Sequence, residues 1–477
     1  MTSARHHDLD LETAGVADVA AALADGSATS SALVGAYLAR IAALSTGGPA
    51  VNAVRCLVPD AAERAEGLDA ERRDGRLRGP LHGVPVLVKD NIDVAGSPTT
   101  GGALALEHSV PDRDAGLVAR LRAAGAVVIG KTNLTELANF MAERMPSGYS
   151  SLGGQVLNPY DVSRSPSGSS SGSAAAAALG LATVTVGTET DGSILSPACA
   201  QSLVGLKPTL GLVPGDGILP IAASQDCAGP ITRTVADAAA LLGALTGDSY
   251  GGALAAGSLA GVRLAVPPEP EGLDSDEAEV FRAALQVMRD RGAVTVEVPE
   301  LPETVEIPVL HHEFARDVDA YLARLPAAAP VRILADLAAW NEAHAEVALK
   351  FGQAHVLAAL AVDHAAEHAA YLAHRARDLA IAGEHGIEAT LRAADAAAVV
   401  LPGPHGCGIA ARAGCPSLVV PAGYTRSGRR PVGVTFLGPA RAEALLLGLA
   451  YAFEQAAGAR RPVSAINPSL LPARTGW

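Results

Sequence analysis

Apolar positions in the first part of the chain recur mostly every three or four residues. Between residues 11 and 44 the series contains Val16, Val19, Leu23, Leu33, Tyr37 and Ile41. This spacing predicts helix, because residues three and four apart share one face of an α-helix. Residues 60–73 are charged and rich in alanine, and they predict a further helix at the surface.

From residue 85 onward, short apolar runs alternate with helical segments. The runs that predict strands are 85–88, 126–129 and 183–186. The segments that predict helices are 117–124, 134–140 and an alanine-rich stretch that begins near residues 171–173. Alternation of strands with helices predicts an α/β fold built on a central sheet.

The rest of the chain carries a helical pattern followed by further strands. Residues 274–390 are rich in alanine with scattered charges, and they predict a helical excursion. Apolar runs at 399–401, 417–420 and 432–436 then predict a return to strands. We therefore expect a single domain over 1–477 with four sections. These are N-terminal helices (1–75), a core (76–250), the helical excursion (274–390) and final strands with a helix (395–470).

Composition narrows the class of protein. Hydrophobic residues make up 49% of the 477 positions and charged residues only 18%, which argues against extended disorder. The aromatic share is 3%, so the core is expected to be aliphatic. The formal net charge of −14 argues against a nucleic-acid partner, since phosphate backbones are bound by basic patches.

Cysteine content and apolar runs bear on compartment and cofactors. The five cysteines are odd in number and include no C-x-x-C pair, so neither a disulfide framework nor a zinc site is indicated. We expect no metal and no cofactor. The first residues lack the apolar core of a signal peptide. The most apolar stretch, 174–187, is shorter than the roughly 20 residues of a membrane span. These features predict a soluble cytoplasmic protein without membrane association.

Two short motifs resemble known catalytic loops but fail on physical grounds. Residues 125–132 fit the P-loop pattern G-x-x-x-x-G-K-[ST], yet the four middle residues are Ala-Val-Val-Ile. These residues predict a buried strand, whereas a P-loop needs loop amides to surround phosphate, so Lys131 is interpreted as structural. Residues 168–172 fit the G-x-S-x-G elbow, but the two prolines before them exclude the central strand that an elbow requires. If residues 168–172 did form a nucleophile elbow, His405 would be the best candidate for its base.

A lysine and two groups of serines form a third, stronger constellation. Lys89 ends the apolar run at 85–88, which suggests a partly desolvated amine. Desolvation lowers a lysine pKa, and a neutral amine can accept a proton. A serine-rich loop at 167–173 follows, and Ser193 lies in Gly187-Thr-Glu-Thr-Asp-Gly-Ser193-Ile directly after a predicted strand. The β-lactamase-type S-x-x-K motif is absent, because each of the four lysines has valine three residues earlier.

These residues lie in long segments that resemble the amidase signature family, and the peptide amidase branch in particular. The similarity extends over nearly the whole chain. The similar segments are Gly79–Asp93, Gly130–Phe140, Ser165–Ser173, Gly187–Ile194, Val204–Thr209, Ser224–Pro230, Arg233–Asp237, His312–Phe314 and Leu334–Asn341. The resemblance implies a large central mixed β-sheet covered by helices on both faces.

The resemblance also implies the roles of individual residues. The family uses a lysine, a serine preceded by a cis peptide bond, and a nucleophilic serine 24 residues further on; here these are Lys89, Ser169 and Ser193. Ser170 matches a serine that helps to hold the lysine. The backbone amides of Thr190, Asp191, Gly192 and Ser193 match the oxyanion-hole segment. Tyr149, Gln155 and His405 are expected to contact the substrate, and the helical excursion is expected to line the pocket.

The chemistry implied is hydrolysis of a carboxamide through an acyl-enzyme, releasing ammonia or an amine. A C-terminal peptide amide is the expected substrate type, and the protein is expected to be a monomer or homodimer. Several residues depart from the common family pattern: Asp191, Leu195, Ser167 and the segment 403–408, where the substrate pocket should lie. Two alternatives therefore stay open. One is a biosynthetic acyltransferase with the same acyl-enzyme, and the other is the amidase-like subunit of an amidotransferase complex.

Overall fold

The computed structural model describes residues 9–302, 307–326, 329 and 331–471. In these residues the strands are β1 (Val54–Leu57), β2 (Pro85–Lys89), β3 (Val127–Thr132), β4 (Tyr149–Ser150), β5 (Gly154–Gln155), β6 (Val184–Glu189), β7 (Val204–Lys207), β8 (Cys227–Thr232), β9 (Arg263–Val266), β10 (Val294–Glu297), β11 (Ala398–Pro402), β12 (Ser417–Tyr424) and β13 (Pro431–Leu437).

The helices of the described residues lie before, between and after these strands. They are α1 (Val16–Ala24), α2 (Ser30–Ile41), α3 (Ala61–Arg73), α4 (Gly116–Ala123), α5 (Ser171–Ala178), α6 (Leu195–Ala200), α7 (Val235–Thr246), α8 (Ser275–Asp290), α9 (Ile307–Leu322), α10 (Leu334–Ala343), α11 (Ala345–Ala348), α12 (Ala354–Leu360), α13 (His364–Leu379), α14 (Ala389–Ala394), α15 (Cys407–Ala413), α16 (Glu443–Ala457) and α17 (Val463–Ile466). Short 3₁₀ turns occur at Leu104–Leu106, Glu136–Asn139, Gly251–Ala253 and Pro468–Leu470, and π-helical segments at Ala42–Thr46 and Ala380–Glu388.

Eleven of the described strands form one mixed sheet in the order β1-β3-β2-β6-β8-β7-β12-β13-β11-β9-β10. Strand β2 lies near one end of this order and pairs in parallel with both β3 and β6. Strand β8 then pairs with β6 in the antiparallel direction, as does β12 with β7 and with β13. The predicted α/β fold with a large mixed sheet is confirmed.

Helices cover both faces of the sheet, as the alternation of side chains along β2 shows. Val86 and Val88 pack on one face in a buried aliphatic cluster with residues of α1, α4, α7 and α16. Leu87 points to the opposite face and packs with residues of α2, α3 and α5. Successive side chains of a strand point to opposite faces, so a strand that is buried on both sides reads as a continuous apolar run.

The predicted strands and helices of the first half are confirmed, with one exception. Residues 134–140 were predicted as helix, but only Glu136–Asn139 forms a short turn, and Leu137 and Ala138 have φ angles of 46° and 56°. The backbone amide of Thr135 donates to the Ser169 carbonyl at 3.0 Å, and that of Leu137 donates to Gly101 at 2.8 Å. These long-range bonds replace the i→i−4 bonds of a helix, so the prediction was wrong.

Five strands of the main sheet escaped sequence prediction: β1, β7, β8, β9 and β10. Strand β10 interrupts the otherwise helical region 274–390 and pairs in parallel with β9 at the end of the sheet. Strand β8 contains Pro230, which lies opposite Val186 of β6. A proline inside a short segment argues against a central strand, so this strand has no clear signal in the sequence.

The helical region packs on the core through its own apolar cluster. Phe314, Val318 and Leu322 of α9 belong to one buried apolar cluster with Phe140 and Leu219 of the core loops. The hydroxyl of Tyr321 on the same helix donates to Asp93 at 2.7 Å, four residues after the end of β2. Across the described ranges, no helix is both long and apolar enough to cross a membrane.

Candidate active site

Lys89 ends β2 and is fully buried between its two neighbouring strands. Its Nζ lies 2.7 Å from Ser169 Oγ, 2.9 Å from Thr188 Oγ1 and 3.2 Å from the Thr188 carbonyl oxygen. Because β2 and β6 run in parallel, their carboxyl ends meet at the same edge of the sheet. That topology places Thr188, near the end of β6, beside Lys89.

The surroundings of Lys89 favour its neutral form. Burial lowers the pKa of Lys89 to about 7, against the opposing effect of the Asp226 and Glu189 carboxylates. A neutral amine has two hydrogens and one lone pair. Thr188 offers two acceptor oxygens within 3.2 Å, so Lys89 can donate both hydrogens there and direct its lone pair at the Ser169 hydroxyl.

The serine-rich loop passes directly over this lysine. The peptide bond between Gly168 and Ser169 is cis. The Ser170 amide donates to the Ser193 carbonyl at 3.2 Å, which holds the loop against the turn that follows β6. The Ser170 hydroxyl donates to the Thr188 carbonyl at 3.0 Å, the same oxygen that Lys89 contacts. Ser170 and Lys89 therefore donate to the same carbonyl oxygen of Thr188.

Ser193 lies in a tight turn between β6 and the start of α6. The Glu189 carboxylate closes this turn by accepting from the amides of Ile194 at 2.6 Å and Leu195 at 2.9 Å. Gly192 has a φ of 78°, and a Cβ there would lie 3.0 Å from Ser196 Oγ and 3.1 Å from Cys407 Sγ. The positive φ therefore favours glycine at position 192, and a Cβ there would also be tightly packed.

Thr190 and Asp191, the first two residues of this turn, are each held by a side-chain contact. The Thr190 hydroxyl donates to Asp226, and burial raises the pKa of this carboxyl group to about 7. Asp191 is exposed at the other side, where its carboxylate lies 3.4 Å from Arg412 of α15. Thr190, Asp191 and Gly192 thus form a fixed link between β6 and Ser193.

Four polar residues of this region were not singled out from the sequence: Thr188, Asn91, Glu189 and Asp226. The Asn91 amide donates to Thr188 Oγ1 at 3.0 Å, so Thr188 is itself fixed before it contacts Lys89. All four lie within or beside the segments that carry the family resemblance. Their type alone gave no signal, because threonine and carboxylate side chains are common in ordinary turns.

The three residues expected to contact substrate lie on two separate segments. Tyr149 and Gln155 face each other in the small β4–β5 sheet. The Tyr149 ring packs edge-on against Phe351 with 4.9 Å between ring centroids, whereas the Gln155 amide donates to two backbone carbonyls of its own loop at 2.9 Å. His405 lies in the turn after β11, where burial lowers its pKa. Tyr149 and Gln155 therefore lie together on one segment, and His405 lies on another, in the turn after β11.

A cavity of about 370 Å³ lies beside Ser167 of the serine-rich loop and beside helix α6, which follows Ser193. Its lining includes Ser167, Ser196, Glu277, Pro404, Arg429 and Arg430. Pro404 belongs to the segment 403–408 that departs from the family pattern. The cavity therefore brings the segment 403–408 next to Ser167 and α6, and neither Ser169 nor Ser193 is among its lining residues.

Residues 125–132 do not form a phosphate-binding loop. Residues 127–132 are the buried strand β3, and Lys131 forms an ion pair of 2.9 Å with Asp90, both side chains being fully buried. Lys131 also donates to Thr99 Oγ1 at 2.7 Å. The segment before Gly168 is irregular and contains no strand, so the elbow interpretation is excluded as well.

We expect Lys131→Met to lower the free energy of unfolding by about 3–5 kcal/mol, because the substitution leaves the Asp90 carboxylate buried without its partner. Chemical denaturation of the purified variant measures this loss. Lys350→Met is the matched control, since Lys350 is exposed and its loss should change stability little. Equal stability of the two variants would contradict a structural role for the Asp90–Lys131 pair.

No group of three or more histidine, cysteine, aspartate or glutamate side chains in the described part of the chain is arranged to hold a metal ion. The polar groups around Lys89 and Ser193 instead form a network of serine, threonine, lysine and carboxylate side chains. Such a network can move protons between hydroxyl groups and a neutral amine.

Comparisons with known proteins show which family the chain belongs to. A family model described as Amidase matches residues 32–447. A probable amidase of Arabidopsis thaliana is 37% identical, over 95% of this chain and 91% of that protein. The X-ray structure of peptide amidase from Stenotrophomonas maltophilia is 43% identical with a TM-score of 0.90, covering 96% of this chain and 99% of that chain. An amidase family protein from Bacillus anthracis is 33% identical, also with a TM-score of 0.90, and covers 95% and 93% of the two chains. This chain therefore belongs to the amidase family and is an amide-hydrolysing enzyme.

Proposed function

We propose that this enzyme cleaves a carboxamide through an acyl-enzyme on Ser193, with Ser169 and Lys89 as the proton relay. The observation that carries the proposal is the buried Lys89 amine, whose Nζ lies 2.7 Å from Ser169 Oγ in surroundings that lower its pKa to about 7. A serine hydroxyl is a weak nucleophile unless a base removes its proton. Lys89 is that base, acting through Ser169.

The reaction proceeds in two stages. Lys89 takes a proton from Ser169, Ser169 takes one from Ser193, and Ser193 Oγ forms a bond to the amide carbonyl carbon. The relay returns a proton to the leaving nitrogen, the carbon–nitrogen bond breaks, and ammonia or an amine departs. Water then attacks the ester of Ser193 with the same base assistance, which releases the carboxylic acid and restores the serine.

The backbone amides of Thr190, Asp191, Gly192 and Ser193 stabilise the negative oxygen of the tetrahedral intermediate. They lie in the turn that Glu189 closes, so their directions are set before the substrate arrives. Preorganised donors cost no reorganisation at the moment of reaction, and the loss of one typically costs about 2.7–4 kcal/mol. Ser170 acts as a support by holding the Thr188 carbonyl.

The proposed substrate is a C-terminally amidated peptide. The similarity to a peptide amidase over almost the full length of both chains supports this choice. In this proposal the chain is one amidase domain, residues 274–390 line the pocket, and Tyr149, Gln155 and His405 contact the substrate. The enzyme acts in the cytoplasm as a monomer or homodimer.

An assay of ammonia release from an amidated dipeptide tests the proposal directly. We expect the wild-type enzyme to release ammonia and the dipeptide acid in equal amounts, with the acid identified by mass spectrometry. Added amines test the acyltransferase alternative in the same reaction. A dominant amide product with the added amine would replace hydrolysis by acyl transfer, and absence of both products would contradict the substrate class.

The rate of acylation is expected to rise with pH through about 7, since burial lowers the pKa of Lys89 to about 7 and only the neutral amine is a base. Below that pH Lys89 is protonated, so kcat/KM should increase about tenfold per pH unit and then reach a plateau. Measurement of kcat/KM across the range in which the enzyme stays folded checks this. A flat profile through neutral pH would contradict the role of Lys89.

A further inference from the structure

Thr190 forms two hydrogen bonds with the loop that precedes β8. Gln225 is buried, and its Nε2 donates to the Thr190 carbonyl oxygen at 3.1 Å. The next residue, Asp226, accepts a hydrogen bond from the Thr190 hydroxyl. The backbone and the side chain of Thr190 are therefore fixed from the same loop.

The bond to the Thr190 carbonyl also determines where the next amide points. The peptide unit is planar, and in its trans form the carbonyl and the N–H of the following residue point in opposite directions. Gln225 therefore fixes the direction of the Asp191 N–H by holding the Thr190 carbonyl. Asp191 N–H is one of the donors that the proposed mechanism directs at the oxyanion.

The loop that carries Gln225 is in turn anchored to the helical region. The backbone amide of Ser224 donates to Glu313 of α9 at 2.9 Å, and the Ser224 carbonyl accepts from Arg375 of α13 at 3.0 Å. The amide of Ala223 donates to Asp317 of α9 at 2.8 Å. The Glu313 side chain is fully buried, so its hydrogen bond with the Ser224 amide is shielded from water.

We propose that Gln225 is a positioning residue for the oxyanion hole, and that Glu313 and Arg375 hold it in place from the helical region. The inference rests on the proposed function, because it assigns a task to the oxyanion-hole segment of that mechanism. The helical region thereby contributes to the chemical step. Glu313 of α9 and Arg375 of α13 hold Ser224, and the neighbouring Gln225 holds the Thr190 carbonyl. The Thr190 carbonyl in turn sets the direction of the Asp191 N–H.

The test uses Gln225→Ala and Gln225→Glu with an amidated dipeptide as substrate and the corresponding dipeptide aldehyde as inhibitor. The aldehyde forms a hemiacetal with Ser193 whose oxygen occupies the oxyanion hole, whereas the dipeptide acid reports binding of an unreacted ligand. We expect kcat to fall about 10- to 100-fold in both variants with little change in KM, since misdirecting a donor costs part of what its removal costs. The aldehyde inhibition constant should rise by a similar factor, while affinity for the acid is retained. Glu313→Gln should lose activity in the same direction by a smaller factor.

Gln353→Ala is the matched control. Gln353 is also buried and donates to a backbone carbonyl, that of Ala338, within the helical region. It should lower thermal stability without lowering kcat. Unchanged kcat and aldehyde affinity in the Gln225 variants, beside an active wild type, would overturn this inference alone. A wild type inactive on all amides tested would overturn the proposed function and this inference with it.

Discussion

Replacing Ser193 with alanine is expected to reduce hydrolysis of an amidated peptide by roughly 10⁵- to 10⁶-fold, the loss seen when the nucleophile of a serine hydrolase is removed. The variant keeps the amides of the turn that Glu189 closes, so substrate should still bind. It lacks the oxygen that forms the acyl-enzyme. Ammonia release under single-turnover conditions gives the rate, and mass spectrometry of the intact protein shows whether an acyl adduct forms.

A matched control separates this effect from disturbance of the fold. Ser417 is fully buried at the start of β12, and its hydroxyl has no hydrogen-bond partner in the described residues. Ser417→Ala should therefore retain full activity. Ammonia release by Ser193→Ala at the wild-type rate would remove Ser193 from the mechanism, even if the protein proved to be an amidase.

Replacing Lys89 with methionine is expected to lower the rate of acylation by about 10²- to 10⁴-fold, the usual contribution of a positioned acid–base group. Methionine is of similar length and apolar, so it fills the fully buried site, but it cannot accept the Ser169 proton. The remaining activity should also lose its rise through neutral pH, because the group that titrates is gone. Rapid-quench measurement of acylation at several pH values checks both results.

Lys131→Met is the matched control for this experiment. Lys131 is equally buried on the adjacent strand and pairs with Asp90, but it contacts neither Ser169 nor Thr188 among the described hydrogen bonds. The Lys131→Met variant should have a lower free energy of unfolding, and the folded enzyme should keep the wild-type pH profile of acylation. A Lys89→Met enzyme with wild-type acylation, or with the same pH profile, would exclude Lys89 as the base.

Much of the fold could be predicted from local pattern. The apolar run that ends at Lys89 predicted β2, and the runs at 126–129 and 183–186 predicted its two parallel neighbours, β3 and β6. Such strands are buried on both faces, so their signal is continuous and strong. The constellation of Lys89, Ser169 and Ser193 was also visible, because it lies in long segments with a recognisable family pattern.

Other elements depend on contacts that no local window contains. Strand β8 forms although it contains Pro230, because β6 and β7 flank it and supply partners on both sides. Residues 134–140 fail to form a helix because the loops around Gly101 and Ser169 accept their backbone amides. In each case tertiary hydrogen bonds outweigh local propensity, which is worth less than about 1 kcal/mol per residue outside proline.

The sequence by itself determined the α/β class, the principal strands and the three residues proposed for the chemistry. Tertiary structure decided what those residues touch. Lys89 and Thr188 are in contact although 99 positions separate them in the sequence, and Gln225 and Thr190 are in contact at a separation of 35 positions. The physical reason is that a pKa or an amide direction depends on burial and on neighbouring groups in space. Those neighbours come from strands and helices far apart in the chain, which only the folded sheet brings together.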